Sequence, residues 1–353
     1  MAGWRDLRLM TIDDDEPIAD DHSQLDDRQS LVNVAQANLP LAGLGIDDQE
    51  RIARYMERAS SSATLRAYRS DWAIFEQWCA ARALVTLPAT PVTVAAFLTD
   101  LADQGRARST IGRRLAAIIF AHRAAGHPPP TDQVNANILE RAMRGVRADK
   151  RDQPVAKKRA ADGDILRDML RAIDGDSVRS LRDRALLAVG MGGAFRRSEL
   201  VAIRFSQVTE LAEGLRIHVP HAKGDQLGRG ADVVIPDRRR IAPVALYKAW
   251  ISAAPITDGF LFRKLTPQGR LTEKPMSDRG VALVVKARAA AAGYDPELFS
   301  GHSLRAGFLT EAGRQGANLF KMKDHSRHRS IETVSGYVRD HEAFRDHAGD
   351  KFL

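Results

Sequence analysis

Apolar residues recur every three or four positions between residues 47 and 149, and this spacing predicts amphipathic helices. The apolar stripes lie at 52–56, 65–79, 94–101, 111–119 and 134–143. Thr90-Pro91 precedes the third stripe, and proline is favoured at the first position of a helix. The next two helices are predicted to start at Ser109 and Thr131. Because only short loops separate the stripes, we expect a bundle of four or five helices.

The pattern changes after about residue 162, where helical stripes are interrupted by short strand-like runs. Helices are predicted at 164–173, 180–192, 197–203, 238–254, 277–292, 303–315, 318–324 and 330–343. Two strands, 215–219 and 233–236, are predicted on either side of a glycine-rich turn. The predicted fold class is mostly α: an N-terminal four- or five-helix bundle, then an α-rich domain with a small antiparallel β-sheet.

Two segments lack apolar periodicity. Residues 1–45 are acidic and are predicted to form a mobile tail, with at most a short helix near 30–38. The basic segment 146–161 is predicted to be an exposed linker. We therefore expect the bundle to occupy 46–145 and the second domain to occupy 162–353.

Composition favours a folded, soluble protein. The chain has 353 residues, of which 44% are hydrophobic and 28% are charged, enough for about two packed domains. It has a single cysteine, Cys79, which excludes an internal disulfide and a cysteine-based zinc site. No apolar run approaches the roughly 20 residues of a membrane helix, and the first residues do not resemble a signal peptide. We expect no membrane association and a cytoplasmic location.

The charge distribution points to a polyanionic partner. The net charge is +8, but residues 1–45 carry −6, so the remainder carries +14. A basic body of this size favours nucleic acid as the partner. A solvated basic surface without a nucleic-acid partner has the same composition, so charge alone leaves both interpretations open.

Two short stretches are polar next to runs that are predicted to be core. Arg196 follows the apolar run of a predicted helix, and Glu199 comes three residues later. An arginine near the interior needs a carboxylate or a bound phosphate as its partner, although an ordinary surface ion pair has the same spacing. His302 and Arg305 are predicted to share one face at a helix N-terminus, where an anion is favoured. A capping and surface pair is the alternative there.

A third polar stretch contains His325 and His328, and Tyr337 follows nine residues after the second histidine. The two histidines could suggest a metal pair, but neither glutamate nor cysteine stands at a suitable spacing. We therefore predict no metal site and no other cofactor, since the chain also lacks a Walker-type phosphate-binding motif.

The order of these residues, together with a lysine in the predicted β-turn, resembles the tyrosine recombinase (phage integrase) family. The resemblance covers about residues 46–345 and rests on Arg196, Glu199, Lys223, His302, Arg305, His328 and Tyr337. The sequence departs from the family pattern in two places. Ser326-Arg327 replaces a frequent Leu-Gly before the last histidine, and the turn that holds Lys223 is long.

The resemblance implies a reaction in which Tyr337 attacks a DNA phosphodiester and forms a covalent 3′-phosphotyrosine. Arg196 and Arg305 would hold the charge that develops on the phosphate oxygens. A tyrosine phenol titrates near 10, so attack at neutral pH needs a base or a positive field. The 5′-hydroxyl of another strand would then reverse the step without metal or ATP.

The same resemblance implies that the remaining residues transfer protons or orient the catalytic side chains. His302 would accept the tyrosine proton, and His328 would donate a hydrogen bond to the phosphate. Lys223 would protonate the leaving 5′-oxygen. Glu199 would orient Arg196 or His302.

The family also implies double-stranded DNA with inverted-repeat half-sites as the partner and a homo-tetramer on DNA, with the two domains clamped around the duplex. The segment after Tyr337 would pass to a neighbouring subunit or pack on its own domain. Basic residues of the bundle and linker would contact DNA, most of them through phosphate. The candidates are Arg66, Arg69, Arg106, Arg108, Arg113, Arg114, Lys157, Lys158 and Arg159.

Two other functions remain open at this point. A type IB topoisomerase or telomere resolvase shares the same set of catalytic residues, although such enzymes usually carry other domains. A non-catalytic DNA-binding regulator derived from an integrase would keep the fold. It is disfavoured because decay should have removed part of the set of seven.

Overall fold

A computed structural model describes residues 62–151, 158–220 and 230–342, together with positions 45, 47, 48, 51 and 55. The described residues up to 151 belong to one compact unit, and those from 158 onward belong to another. In this part of the chain no helix is both long and apolar enough to cross a membrane. The predicted acidic tail lies almost wholly outside the described residues.

The first unit contains α1 (Ser62–Ala80), α2 (Pro91–Asp103), α3 (Arg108–Ala124) and α4 (Ala136–Asp149). The Thr90 hydroxyl caps α2 by accepting a hydrogen bond from the Thr93 N–H, and Pro91 is the first helical residue, as the sequence predicts. The apolar stripes from residue 65 onward form one core, whose members include Trp72, Phe75, Phe97, Leu98, Ile111, Ile118, Leu139 and Met143. Of the stripe at 52–56 only Tyr55 is described, and it is 62% exposed.

The end of this unit differs from the sequence prediction in two respects. The predicted helix start at Thr131 is wrong: Pro130–Asp132 form a 3₁₀ turn and Asn135 has a φ of 69°, so α4 begins only at Ala136. Val134, predicted to be apolar core, is 86% exposed. At the other end, α4 continues to Asp149, so the first residues of the predicted linker are helical.

The second unit is α-rich, as predicted. Its helices are α5 (Gly163–Arg171), α6 (Val178–Gly192), α7 (Arg197–Ala202), α8 (Pro243–Ala253), α9 (Asp278–Ala291), α10 (Ser303–Arg314), α11 (Leu319–Ser326) and α12 (Ile331–Glu342). Helix α8 starts five residues later than predicted, because Ala242 adopts a left-handed conformation immediately before Pro243. One large core, which includes Trp250, Tyr247 and Phe262, joins α5, α6, α7, α8, α9 and the start of α10. A smaller cluster of Leu309, Met322 and Val334 joins α10 to α11 and α12.

Two antiparallel sheets accompany the helices. Strands β1 (Val208–Leu211), β2 (Gly214–Val219) and β3 (Ala231–Pro236) pair in chain order, and β2 and β3 correspond to the two predicted strands. The hairpin of β4 (Arg263–Leu265) and β5 (Leu271–Pro275) was not predicted. These strands are short and charged, so they lack the apolar alternation that marks a strand in sequence.

The chain enters the second unit by packing directly on α10. The Ala161 N–H donates to the Ser303 carbonyl at 2.9 Å. A Cβ placed on Gly307 would lie 1.8 Å from the Ala161 carbonyl oxygen. Only glycine permits this approach, which fixes the chain against the helix that carries Arg305.

Gly307→Ala is expected to destabilise the second unit by about 1–3 kcal/mol, because the new methyl group forces backbone apart in a packed region. Denaturant unfolding of the purified protein measures the change. Gly336→Ala is the matched control, since nothing lies within 4 Å of a Cβ at that helical position, and it should stabilise by about 0.5–1 kcal/mol. Equal stabilities for the two variants would contradict the packing argument.

Candidate active site

Arg196 and Glu199 are placed by the sharp turn between α6 and α7. Gly193, Ala194 and Phe195 make this turn, with Ala194 at a φ of 45°. The Glu199 carboxylate accepts a hydrogen bond from the Arg196 backbone N–H at 3.0 Å and also binds the Arg196 guanidinium. A single carboxylate thus binds two groups of Arg196, one of the two partners that the family resemblance implies for Glu199.

Arg305 lies fully buried on α10. Its Nη1 donates to the Ala194 carbonyl at 2.7 Å, and its Nη2 donates to Nδ1 of His328 at 3.2 Å. Burial and then the charge of Arg196 lower the pKa of Arg305. A bound phosphate would reverse that shift, because it supplies the negative charge that the buried guanidinium lacks.

His328 is neutral around pH 7, because burial and then the charge of Arg305 lower its pKa to about 4. A guanidinium nitrogen can only donate, so its bond to Nδ1 requires the hydrogen of the neutral ring to be on Nε2. The Ser326 hydroxyl also lies 2.7 Å from Nδ1. His328 is therefore oriented through Nδ1, which leaves an N–H donor on the other side of the ring.

His302 precedes the first turn of α10, and its ring is exposed. Partial desolvation, followed by the charges of Arg305, Arg196 and Arg197, lowers its pKa. The imidazole is consequently neutral at pH 7 and able to accept a proton. The side chain of Arg197 crosses Gly301 so closely that a Cβ there would lie 2.1 Å from its Cδ.

Tyr337 lies on α12, which packs against α10. Its half-buried side chain contacts the small cluster of Leu309, Met322 and Val334. Burial raises the pKa of Tyr337, whereas the charge of Arg305 lowers it. The phenol is thus anchored by apolar packing within the electrostatic field of Arg305.

Arg327 is a residue of this region that the sequence did not single out as functional. Its side chain is 5% exposed, and its backbone has a φ of 57°. Nη2 donates to Oε2 of Glu199 at 2.8 Å and to the Ala194 carbonyl at 3.1 Å. The guanidinium lies 4.9 Å from the ring centre of Phe195. The one available signal was the replacement of Leu-Gly by Ser326-Arg327.

The structure brings four of the seven predicted residues into direct contact or a shared chain of hydrogen bonds: Arg196, Glu199, Arg305 and His328. His302 and Tyr337 lie within the electrostatic field of these arginines. Lys223 is outside the described residues. In the described part of the chain, no three His, Cys, Asp or Glu side chains come together as metal ligands would. His325 instead bonds the Gly192 carbonyl and stacks on Phe308.

The basic residues predicted to contact DNA fall into different environments. Arg66, Arg106 and Arg108 are exposed, and Arg69 is half-buried. Lys158 and Arg159 are exposed but anchored, since the Lys158 ammonium donates to the Glu297 carbonyl and Arg159 lies over the Tyr294 ring. Lys157 is outside the described residues.

Arg113 and Arg114 differ from each other. Arg113 remains half-exposed while it binds the buried Asp71 carboxylate at 2.6 Å. Arg114 was predicted on the polar face of its helix, but it is 8% exposed and lies 3.6 Å from the same carboxylate. The expectation that Arg114 is exposed is wrong, because it lies on the buried face of α3 with Ile111 and Ala117, where the Asp71 carboxylate balances its charge. Its contact with DNA stays a prediction.

Comparison with known proteins gives the family. The model of the phage integrase family matches residues 161–343, and that of the phage integrase N-terminal SAM-like domain matches residues 53–125. The chain belongs to the phage integrase family of tyrosine recombinases. It is 36% identical to the integrase/recombinase XerD homolog of Selenomonas ruminantium, over 86% of this chain and 90% of that one. It is 23% identical to the Cre recombinase of Escherichia phage P1, over 88% and 95% respectively.

Solved structures support the fold of this tyrosine recombinase. The XerH site-specific recombinase, in a post-cleavage complex with a palindromic difH substrate, aligns with a TM-score of 0.62 at 15% identity, covering 89% of this chain and 92% of that one. A lambda integrase dimer bound to a COC′ core site aligns with a TM-score of 0.54 at 18% identity, covering 84% and 94%. At these identities the similarity concerns the fold.

Proposed function

We propose that this tyrosine recombinase cleaves and rejoins DNA at specific sites, with Tyr337 as the nucleophile and without a metal or ATP. The observation that carries the proposal is the convergence of Arg196, Arg305 and His328, with Glu199 as the only carboxylate hydrogen-bonded among them in the described part of the chain. This carboxylate is already engaged by Arg196 and Arg327. A phosphodiester would supply further negative charge.

In the cleavage step, the Tyr337 oxygen attacks phosphorus and the bond from phosphorus to the 5′-oxygen breaks. His302 accepts the phenol proton, since it is neutral and exposed. Arg196, Arg305 and the Nε2–H of His328 stabilise the charge on the non-bridging oxygens. Lys223 supplies a proton to the leaving 5′-oxygen. Attack by a 5′-hydroxyl on the phosphotyrosine then restores the phenol and joins the new strands.

The partner in this proposal is double-stranded DNA with inverted-repeat half-sites, bound by a homo-tetramer. Exposed arginines of the first unit, among them Arg66, Arg106 and Arg108, would bind phosphates. The relatives support DNA as the partner, because the matched XerH and lambda integrase structures are complexes with DNA sites. Residues 46–145 would serve as the core-binding domain, and residues from 162 onward as the catalytic domain.

The test is to trap the covalent intermediate on nicked suicide duplexes that carry the DNA flanking the gene. We expect a protein–DNA adduct that resists denaturant and forms equally well in excess EDTA. A strict requirement for a divalent metal would refute the metal-free mechanism. Exchange between two duplexes distinguishes recombination from relaxation by a topoisomerase-like enzyme. Site-specific binding with no cleavage would favour a non-catalytic regulator.

A further inference from the structure

Arg327 occupies a backbone conformation that is unfavourable for its residue type. A φ of 57° and a ψ of 42° place it in the left-handed region at the end of α11. An ordinary L-residue is disfavoured in this region because its Cβ crowds the backbone, a cost that glycine avoids. The contacts of the Arg327 side chain must offset that cost, and they all lie in the active site rather than within its own helix, except for one bond to the His325 carbonyl.

These contacts connect two parts of the site that are far apart in sequence. The guanidinium donates to the carbonyls of Gly193 and Ala194, which form the turn before Arg196. In return, Nη2 of Arg196 donates to the Arg327 carbonyl at 2.8 Å. His328 is the next residue in the chain. Arg327 therefore fixes the backbone beside His328 to the turn that presents Arg196.

Glu199 is the second connection, because its carboxylate lies between two guanidiniums. Oε1 binds Arg196, and Oε2 accepts both the Arg196 backbone N–H and the Nη2–H of Arg327. Without Arg327, one oxygen of a buried carboxylate loses its charged partner. Arg196 would then be the only arginine hydrogen-bonded to Glu199. Its guanidinium would bind this carboxylate more tightly and would be less available to a substrate phosphate.

We propose that Arg327 is a positioning residue of the recombination reaction, which holds Arg196 and His328 in the arrangement that the scissile phosphate requires. The proposal rests on the proposed function above. Arg327 acts on the phosphate only through its neighbours, because its Nη1 and Nη2 donors bind Glu199 and main-chain carbonyls.

The test compares Arg327→Gly with wild type in single-turnover cleavage of the suicide duplex at saturating DNA. Glycine keeps the left-handed backbone, so the variant removes the side-chain contacts without adding strain. We expect the cleavage rate to fall about 10–100-fold, in the range seen when supporting partners of a reactive centre are removed. DNA affinity should change less than about threefold, which is under 1 kcal/mol.

The pH profile separates positioning from a purely structural role. Three arginines face Glu199: Arg196 on the preceding turn, Arg327 from the end of α11 and Arg305 from α10. The charges of Arg327 and Arg196 overcome the effect of burial and hold the pKa of Glu199 below its usual value. Removing Arg327 raises that pKa and also that of His328, so the acidic limb of the cleavage rate should move to higher pH.

Ala242→Gly is the matched control, since Ala242 is also a non-glycine residue at positive φ, with a φ of 53°, in the same unit. It should form the adduct at the wild-type rate with an unchanged pH profile. Arg327→Lys provides a second variant if the glycine variant does not fold. Lysine keeps the charge but cannot span Glu199 and the carbonyls, so its rate should also fall. If the folded Arg327 variants cleave at the wild-type rate with the wild-type pH dependence, the proposal is refuted. If the wild-type protein itself forms no adduct, the proposed function is refuted.

Discussion

Replacing Tyr337 with phenylalanine is expected to abolish the covalent protein–DNA adduct completely. The substitution removes the nucleophilic oxygen but keeps the ring that packs against Leu309, Met322 and Val334. Folding and DNA binding should therefore be preserved, with a change in affinity below about threefold, or less than 1 kcal/mol. Adduct formation on suicide duplexes and a gel-shift titration measure the two quantities.

Tyr294→Phe is the control for this experiment. Tyr294 is also half-buried and donates to the Asp168 carboxylate at 2.7 Å, but it lies outside the proposed site. This variant should form adduct normally. If Tyr337→Phe still formed an adduct, another nucleophile would have to be sought, and the assignment of Tyr337 would be wrong.

Arg305→Lys is expected to lower the single-turnover cleavage rate by about 10²–10³-fold, the usual effect of removing one donor from a developing oxyanion. The charge remains, but an ammonium cannot hold the Ala194 carbonyl, Nδ1 of His328 and a phosphate in one plane. His328 also loses the donor that fixes its tautomer. Rapid-quench measurement of cleavage at saturating DNA tests this expectation.

Arg314→Lys, at the far end of the same helix, is the matched control. Arg314 is exposed and pairs with Asp162 at 2.9 Å, so its replacement should leave both cleavage and stability near wild type. The unfolding midpoint of each variant shows whether a lost rate reflects a lost fold. A folded Arg305→Lys protein that cleaved at the wild-type rate would remove Arg305 from the proposed mechanism.

The sequence predicted correctly those features of the fold that depend on the spacing of neighbouring residues. The apolar stripes of the bundle follow from periodicity, and the start of α2 follows from the preference for proline at the first helical position after Thr90. Arg196, Glu199, Arg305 and His328 were grouped by family resemblance, and their grouping has a structural counterpart in the hydrogen bonds between them. Their catalytic roles stay predictions.

The errors arise where a distant or buried partner decides the outcome. Thr131 looks like a helix start, but the conformations of Pro130 and Asn135 delay α4. Arg114 lies in a run of arginines, and both it and its exposed neighbour Arg113 pair with Asp71. Arg114 differs because it lies on the buried face of α3 with Ile111 and Ala117. Apart from one bond to the His325 carbonyl, Arg327 forms its side-chain contacts with residues more than 120 positions earlier, and local spacing does not reveal such partners.

The carbonyls of the turn before Arg196 have a practical consequence. Arg305 and Arg327 are oriented by hydrogen bonds to main-chain carbonyl oxygens in a buried environment. Dissolved ions screen such contacts only weakly. Phosphate binding by surface arginines, in contrast, weakens steeply as salt displaces it. Ionic strength should therefore change the fraction of protein bound to DNA and leave the cleavage rate of the bound complex almost unchanged. A reaction stopped by salt should recover its full rate when more duplex is supplied.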